Sequence, residues 1–211
     1  AGISNVAANG TGNPNEVLEN TTSQPISVVY TFTTTANGCS NNQNVTVVVY
    51  PTPELSSTLT PASICNNTVF SYVPTSATSG AVFNWTRAAV AGISNTASSG
   101  AGNPNETLVN TTGAPVDVTY VYTVSANGCI NPITYNVVVT VKPTPVLTST
   151  LSPTAICSGN TFSYLPTSST TGATFNWSRA AIAGISNAAA SGINNPNEVL
   201  VNTTSAPINV T

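Results

Sequence analysis

Apolar and polar residues alternate most regularly between Val116 and Ser125. Val116, Val118, Tyr120, Tyr122 and Val124 fall on one side, Asp117, Thr119, Thr123 and Ser125 on the other, and Val121 is the one apolar intruder. A period of two predicts a strand with one face buried. Asn127-Gly128 follows, a pair suited to the two positive-φ positions of a tight hairpin turn, and Ile133 to Val141 alternates again, so the strand is expected to fold back on a partner. The same unit occurs earlier: Ile26 to Phe32, then Ala36-Asn37-Gly38-Cys39, then Val45 to Tyr50.

Self-comparison extends this to the whole chain. Gly-Ile-Ser-Asn begins at Gly2, Gly92 and Gly184, Asn-Pro-Asn-Glu at Asn13, Asn103 and Asn195, and Asn-Thr-Thr at Asn20, Asn110 and Asn202, with offsets of 90 and then 92 residues. The two extra residues lie between Cys129 and Pro143. A period of this length with several strands in each unit predicts tandem β-sandwich domains rather than a solenoid, whose repeats are shorter. Pro51-Thr52-Pro53 and Pro143-Thr144-Pro145 punctuate the units, and proline makes such joints short and semi-rigid. The expected domains are therefore 1–51, the C-terminal part of one repeat, 52–143, a complete repeat, and 144–211, the N-terminal part of a third. Within 52–143 the pattern predicts strand A near Leu55 to Leu59, a turn at Cys65-Asn66-Asn67, strand B from Thr68 to Val73 and strand C from Val82 to Arg87. A small-residue segment from Ala88 to Gly102 reads as a helical turn or an irregular crossover, and strand E lies near Thr107 to Asn110. About seven short strands around one Trp in about 90 residues is the pattern of an immunoglobulin-like sandwich.

Composition narrows the function. The chain of 211 residues has no His or Met, one Asp, and only 4% charged residues, which leaves a typical acid-base enzyme without its side chains. Three basic residues against six acidic ones cannot supply the phosphate contacts of a nucleic-acid binder. No apolar run reaches the roughly 18 to 20 residues of a membrane helix, so no membrane insertion is expected. The chain opens in mid-repeat and is expected to be a piece of something longer. A Thr/Asn-rich β chain with regularly placed cysteines reads as secreted.

One string of motifs is distinctive. Ile-Cys-x-x-x-x-Phe-Ser-Tyr spans Ile64 to Tyr72 and Ile156 to Tyr164, and Phe-Asn-Trp-x-Arg-Ala-Ala spans Phe83 to Ala89 and Phe175 to Ala181. Ala-Gly-Ile-Ser-Asn and Tyr-x-Tyr-Thr-x-x-Ala-Asn-Gly-Cys complete it. This string resembles the PKD-like domains found in tandem in very large secreted surface proteins of Bacteroidota, and the resemblance covers the full chain. It implies an immunoglobulin-like sandwich, export to the cell surface, and a place in stalks, adhesins or filaments. The PKD motif Trp-Asp-Phe-Gly-Asp-Gly is reduced here to Trp85 and Trp177, followed by Thr-Arg or Ser-Arg, so no role of the acidic residues carries over.

Each repeat pairs one Arg with a Glu nineteen residues later: Arg87 with Glu106, and Arg179 with Glu198. In so uncharged a chain this predicts a structural pair holding the end of strand C to the start of strand E. The alternative, Glu106 with Asn103 and Asn105 as Ca²⁺ ligands, is weaker because calcium sites gather several carboxylates, and no metal or cofactor is expected. Trp85 and Trp177 are read as core, as are Tyr120 and Tyr122. Sequons such as Asn84-Trp85-Thr86 and Asn110-Thr111-Thr112 are read as accidents of composition.

The cysteines fall into two types, Cys65 and Cys157 before strand B, Cys39 and Cys129 after the Asn-Gly turn. The two types belong at opposite ends of a sandwich, roughly 25 Å apart by strand rise, whereas a disulfide needs Cα atoms within about 7 Å. Two bridges stay open: the pre-B cysteine of one domain to the F–G cysteine of the next, with partners beyond both ends of the chain, or Cys65 to Cys129 within one domain if the first strand curls back. Free thiols are the outcome not expected. The functional expectation is a non-catalytic structural segment of an extracellular filament or cell-surface adhesin stalk, partnered by neighbouring repeats and by lateral copies of itself, its open end segments completed by continuing chain or by a neighbour. The alternative is a carbohydrate- or other ligand-binding module.

Overall fold

The computed structural model describes residues 2–211. It is all-β, with no helix among the described residues. Fourteen strands follow in order: β1 (Ile26–Ala36), β2 (Cys39–Val49), β3 (Ile64–Cys65), β4 (Thr68–Phe70), β5 (Val82–Arg87), β6 (Ser98–Ala101), β7 (Glu106–Leu108), β8 (Val116–Ala126), β9 (Cys129–Ile130), β10 (Tyr135–Lys142), β11 (Thr161–Phe162), β12 (Asn176–Arg179), β13 (Ala190–Ile193) and β14 (Glu198–Val199). The chain divides into two compact units. One comprises Ala1–Asn110 with Val116–Val141, and the other Thr111–Pro115 with Lys142–Thr211.

In the first unit, residues 53–110 and 116–141 form a β-sandwich of the immunoglobulin type. One sheet has the order β3-β10-β8-β5-β6, with β9 also on β8, and the other is the pair β4-β7. The alternation along β8 is why it sits at the centre: Val118, Tyr120, Tyr122 and Val124 are fully buried, and Val137, Val139 and Val141 of β10 join them. Phe70 of β4 and Leu108 of β7 close the core from the facing sheet. Phe70 lies 5.0 Å from Tyr120 between ring centroids, and Tyr72 lies 5.4 Å from Tyr122. Sheet-on-sheet packing is thus carried largely by aromatic rings, each removing a large area from water.

The hairpin turns follow the expected chemistry. Asn37 and Gly38 have φ of 53° and 80°, Asn127 and Gly128 of 52° and 81°, left-handed values that Asn and Gly adopt at least cost. The first hairpin is continuous from Ala36↔Cys39 to Ile26↔Val49. In the complete repeat, Ser125 faces Ile130 but Tyr122 faces Tyr135, a register two residues out of line. The two extra residues of the longer period are therefore taken up between β9 and β10. There Asn131 is buried, its Nδ2 donating to Pro53 O at 2.9 Å and to Tyr135 Oη at 2.9 Å.

Several expected elements differ. Leu55 to Leu59 forms no strand; it runs irregularly, tied by Ser56 N donating to Thr75 O and Val138 N donating to Leu59 O, both at 2.8 Å. Strand B stops at Phe70, because Tyr72 N–H donates to a side chain, Asn103 Oδ1, instead of a neighbouring strand. Strand E is Glu106–Leu108, with Asn110 only in an isolated bridge to Ile93. The segment after β5 is the irregular crossover, without a helical turn, and it contains β6, which the pattern did not predict.

The second unit repeats the front of this sandwich in the same register. Phe162 faces Glu198 as Phe70 faces Glu106, and Trp177 faces Gly192 as Trp85 faces Gly100.

Candidate functional site

The most highly organised polar cluster sits where the two sheets of the complete repeat meet. The last residue of β5 turns Arg87 inward, with its side chain only 1% exposed. The first residue of β7 brings Glu106 opposite. Arg87 Nε donates to Glu106 Oε2 at 2.9 Å and Nη2 to Oε1 at 3.0 Å, a two-point fork. Its remaining donors are used as well: Nη1 to Ala88 O at 3.2 Å and Nη2 to Thr96 O at 2.7 Å. Tyr120 completes the cluster from β8, its hydroxyl donating to Glu106 Oε2 at 2.7 Å. The guanidinium also lies 6.0 Å from the Tyr120 ring centroid, within cation–π range. Trp85 meets the same ring edge-on at 5.4 Å.

A charge this buried is tolerable because each of its three nitrogens donates to an acceptor. Burial pushes the Glu106 carboxyl up, but the Arg87 fork and then the Tyr120 hydroxyl outweigh it, and the group lies below the usual carboxylate range. The Arg87 guanidinium is raised, first by its bonds to Glu106. Tyr120 is raised well above the ordinary phenol by burial, then by Glu106, and Tyr122 is raised by burial.

The signs fix a pH dependence. The lowered Glu106 contributes stability that is complete above its unfolded value of about 4.3 and is lost as pH falls through the lower folded value. Tyr120 and Tyr122 contribute stability that is complete below about 10 and is lost as pH rises toward their folded values. The unfolding midpoint of the complete repeat is therefore expected to fall on both flanks. Denaturant titrations of wild type and Glu106→Gln followed by Trp fluorescence check the acid flank; a variant that falls as steeply as wild type below pH 4 would assign that flank to other groups.

The second unit contains the same fork. Arg179 Nε and Nη2 each lie 2.9 Å from the Glu198 carboxylate, with further bonds to Ala180 O at 3.0 Å and Ala188 O at 2.6 Å. In residues 2–51 the equivalent of the tyrosine arm is present, Tyr30 Oη donating to Glu16 Oε1 at 2.7 Å. The tyrosine was missed in the sequence, where only Arg and Glu were paired. Its signal was available, since Glu16 to Tyr30 and Glu106 to Tyr120 share a spacing of fourteen.

Asn103, the calcium alternative's first ligand, has its oxygen engaged by Tyr72 N–H at 2.8 Å and Asn105 N–H at 3.2 Å, and its amide donates to Ser71 Oγ at 2.8 Å. It acts as a clamp between β4 and the loop before β7. Asn110, in a sequon, is buried and donates from Nδ2 to Val141 O at 2.8 Å, fixing the corner to the last strand; Asn20 makes the same bond to Val49 O. Trp85 is buried and Trp177 half-buried. A Cβ on Gly100 would lie 2.8 Å from Trp85 Cζ2, and one on Gly192 2.9 Å from Trp177 Cζ2. β6 and β13 each carry a glycine, Gly100 and Gly192, where the indole lies against the strand.

The bridge within one domain, Cys65 to Cys129, requires a correction. Cys39, Cys65, Cys129 and Cys157 are all free thiols. A bridge between Cys65 and Cys129 is ruled out by topology. Cys129 pairs with Ala126 at one end of β8, whereas Asn66, beside Cys65, bonds to Asn110 N near the other end, and β8 spans 11 residues between. The first strand does not curl back to close that distance.

Residues 62–145 match the family of the PKD-like domain, a family whose members are immunoglobulin-like modules, typically non-catalytic and usually extracellular. No curated protein matches the chain.

Proposed function

We propose that the chain is a structural, load-bearing repeat segment of an extracellular filament or cell-surface adhesin stalk, without catalysis of its own. The observation that carries this reading is the use made of the recurring polar residues. Arg87, Glu106, Asn103 and Asn110 each bond within their own repeat, and the fork spans the two sheets of the sandwich. Side chains that recur from repeat to repeat yet are spent internally specify a scaffold, whereas a ligand site holds its polar groups open toward a cleft. Pro51 and Pro53, both fully buried, suit a stiff entry into the complete repeat. With only nine formal charges, neighbouring copies would repel weakly, which favours lateral association through Thr and Asn side chains. No helix of the described residues is long and apolar enough to cross a membrane.

Electron microscopy of the native material that contains this sequence tests the proposal. Thin rods or fibres with an axial period near the length of one or two sandwich domains are expected. Compact particles with no axial repeat would overturn the reading.

A further inference from the structure

β6 is the open end of the larger sheet in the complete repeat: β5 lies on one side of it, and among the described residues no strand lies on the other. The direction of its backbone groups follows from its pairing. Gly102 N donates to Phe83 O at 2.9 Å, and antiparallel bonds alternate, so Gly100 is the next residue bonded to β5 while Ser99 and Ala101 turn their N–H and C=O groups to the open side. Ser99, Gly100 and Ala101 are all exposed. The strand has none of the devices that keep an edge from pairing: no charge, no proline, and no bulge in its register with β5. β13 repeats the arrangement, with Asn194 N donating to Phe175 O at 2.9 Å and Ser191 and Ile193 turned outward.

We infer that β6 of one copy pairs antiparallel with β6 of a second copy about a two-fold axis at Gly100, so that one sheet continues through both chains. This rests on the scaffold reading and gives its lateral association a defined surface. In that register Ser99 of each copy faces Ala101 of the other, and each such pair exchanges both of its N–H···O bonds, which satisfies every outward backbone group of the edge. Gly100 faces its own copy at the axis, the position of closest approach between the strands, and carries no side chain to obstruct it. A second copy is the partner that the chemistry fits. Charges near a two-fold axis meet their like, but this edge has none, and the nearest, Arg87 and Glu106, are tied to each other in their fork. A foreign strand is selected through pockets for its alternate side chains, and Ser99 and Ala101 are too small to wall one. An edge of four residues binds weakly by itself. Because the edge recurs, each further pair between two long chains forms at the high local concentration set by the first.

The test uses the 211-residue chain. In the reduced wild type, the Ser99 and Ala101 amides are expected to exchange with deuterium about tenfold more slowly as the protein is concentrated, while the Gly100 amide, already bonded to β5, does not change. Ser99→Pro removes an outward N–H without touching the bonds to β5, as edge strands tolerate, and is expected to abolish the added protection at Ala101. A covalent trap reads the register. Ser99→Cys and Ala101→Cys are made in separate chains whose four native cysteines are Ser. Mixed and oxidised, they are expected to give a linked pair, because the two positions face one another. Either variant alone places its thiols on a diagonal, with residues roughly 7–8 Å apart, and is expected to stay unlinked. Exchange that does not depend on concentration, protection that survives Ser99→Pro, or links that form as readily in one variant alone as in the mixture would each overturn pairing through β6. None of these results bears on the axial period of the native material, which tests the scaffold reading separately.

Discussion

Arg87→Ala is expected to destabilise the complete repeat by about 3–5 kcal/mol, because it strands the Glu106 carboxylate against a buried tyrosine with no cation to answer it. Four donor bonds disappear together: two to Glu106 and one each to Ala88 O and Thr96 O. Those carbonyls close the start of the crossover between β5 and β6, so the loss reaches the backbone as well as the charge. Arg87→Lys is expected to rescue little, since a single ammonium cannot make the planar two-point contact. Arg87→Met with Glu106→Leu is expected to recover much of the loss, as apolar replacement of a whole buried pair often does. Denaturant unfolding in a Trp177→Phe background isolates Trp85 as the reporter for this repeat. A cost under 1 kcal/mol for Arg87→Ala would reduce the fork to the weight of a surface ion pair.

Phe70→Ala is the second large effect, again about 3–5 kcal/mol. Phe70 is 1% exposed and sits between Tyr72 and Tyr120, at centroid distances of 6.2 Å and 5.0 Å. Removing it opens a cavity at the seam of the two sheets, where the short β4 and β7 have only three paired positions to resist collapse. The corresponding change at Phe162 serves as the internal control: that ring is half-buried, so its loss is expected to cost much less. Equal costs at the two positions would mean that the second unit is covered in solution.

The parts of this fold legible in the sequence are those where burial and backbone period agree. β5, β8 and β10 alternate because one face of each lies against the facing sheet, and the two hairpin turns announce themselves by Asn-Gly. β6 was not legible. Ser98-Ser99-Gly100-Ala101 has neither bulk nor alternation, and its pairing with β5, with Gly100 against the Trp85 indole, shows only in the structure. Leu55 to Leu59 failed in the opposite direction: Leu55 serves the core while Leu59 is exposed, and the backbone bonds are scattered over two partners rather than one ladder. At the cluster, charge scarcity made Arg87 and Glu106 conspicuous, whereas Tyr120 was absorbed into the core pattern, which is also true of it. The Asn residues were the least readable, since Asn103 and Asn110 look like loop filler until their backbone partners, 31 residues away in each case, are known.

The fork has one further consequence, for digestion. A trypsin-type protease must draw a Lys or Arg side chain into an acidic pocket before it can cut. This chain offers three such residues. Lys142 is followed by Pro143, whose ring and missing N–H spoil the scissile bond, and Arg87 and Arg179 are held in their forks with side chains 1% and 6% exposed. The folded protein thus has no serviceable tryptic bond, and the same contacts that join its sheets hide its cleavage sites until a repeat opens. The rate of cutting at Arg87 becomes a direct reading of how often that repeat unfolds.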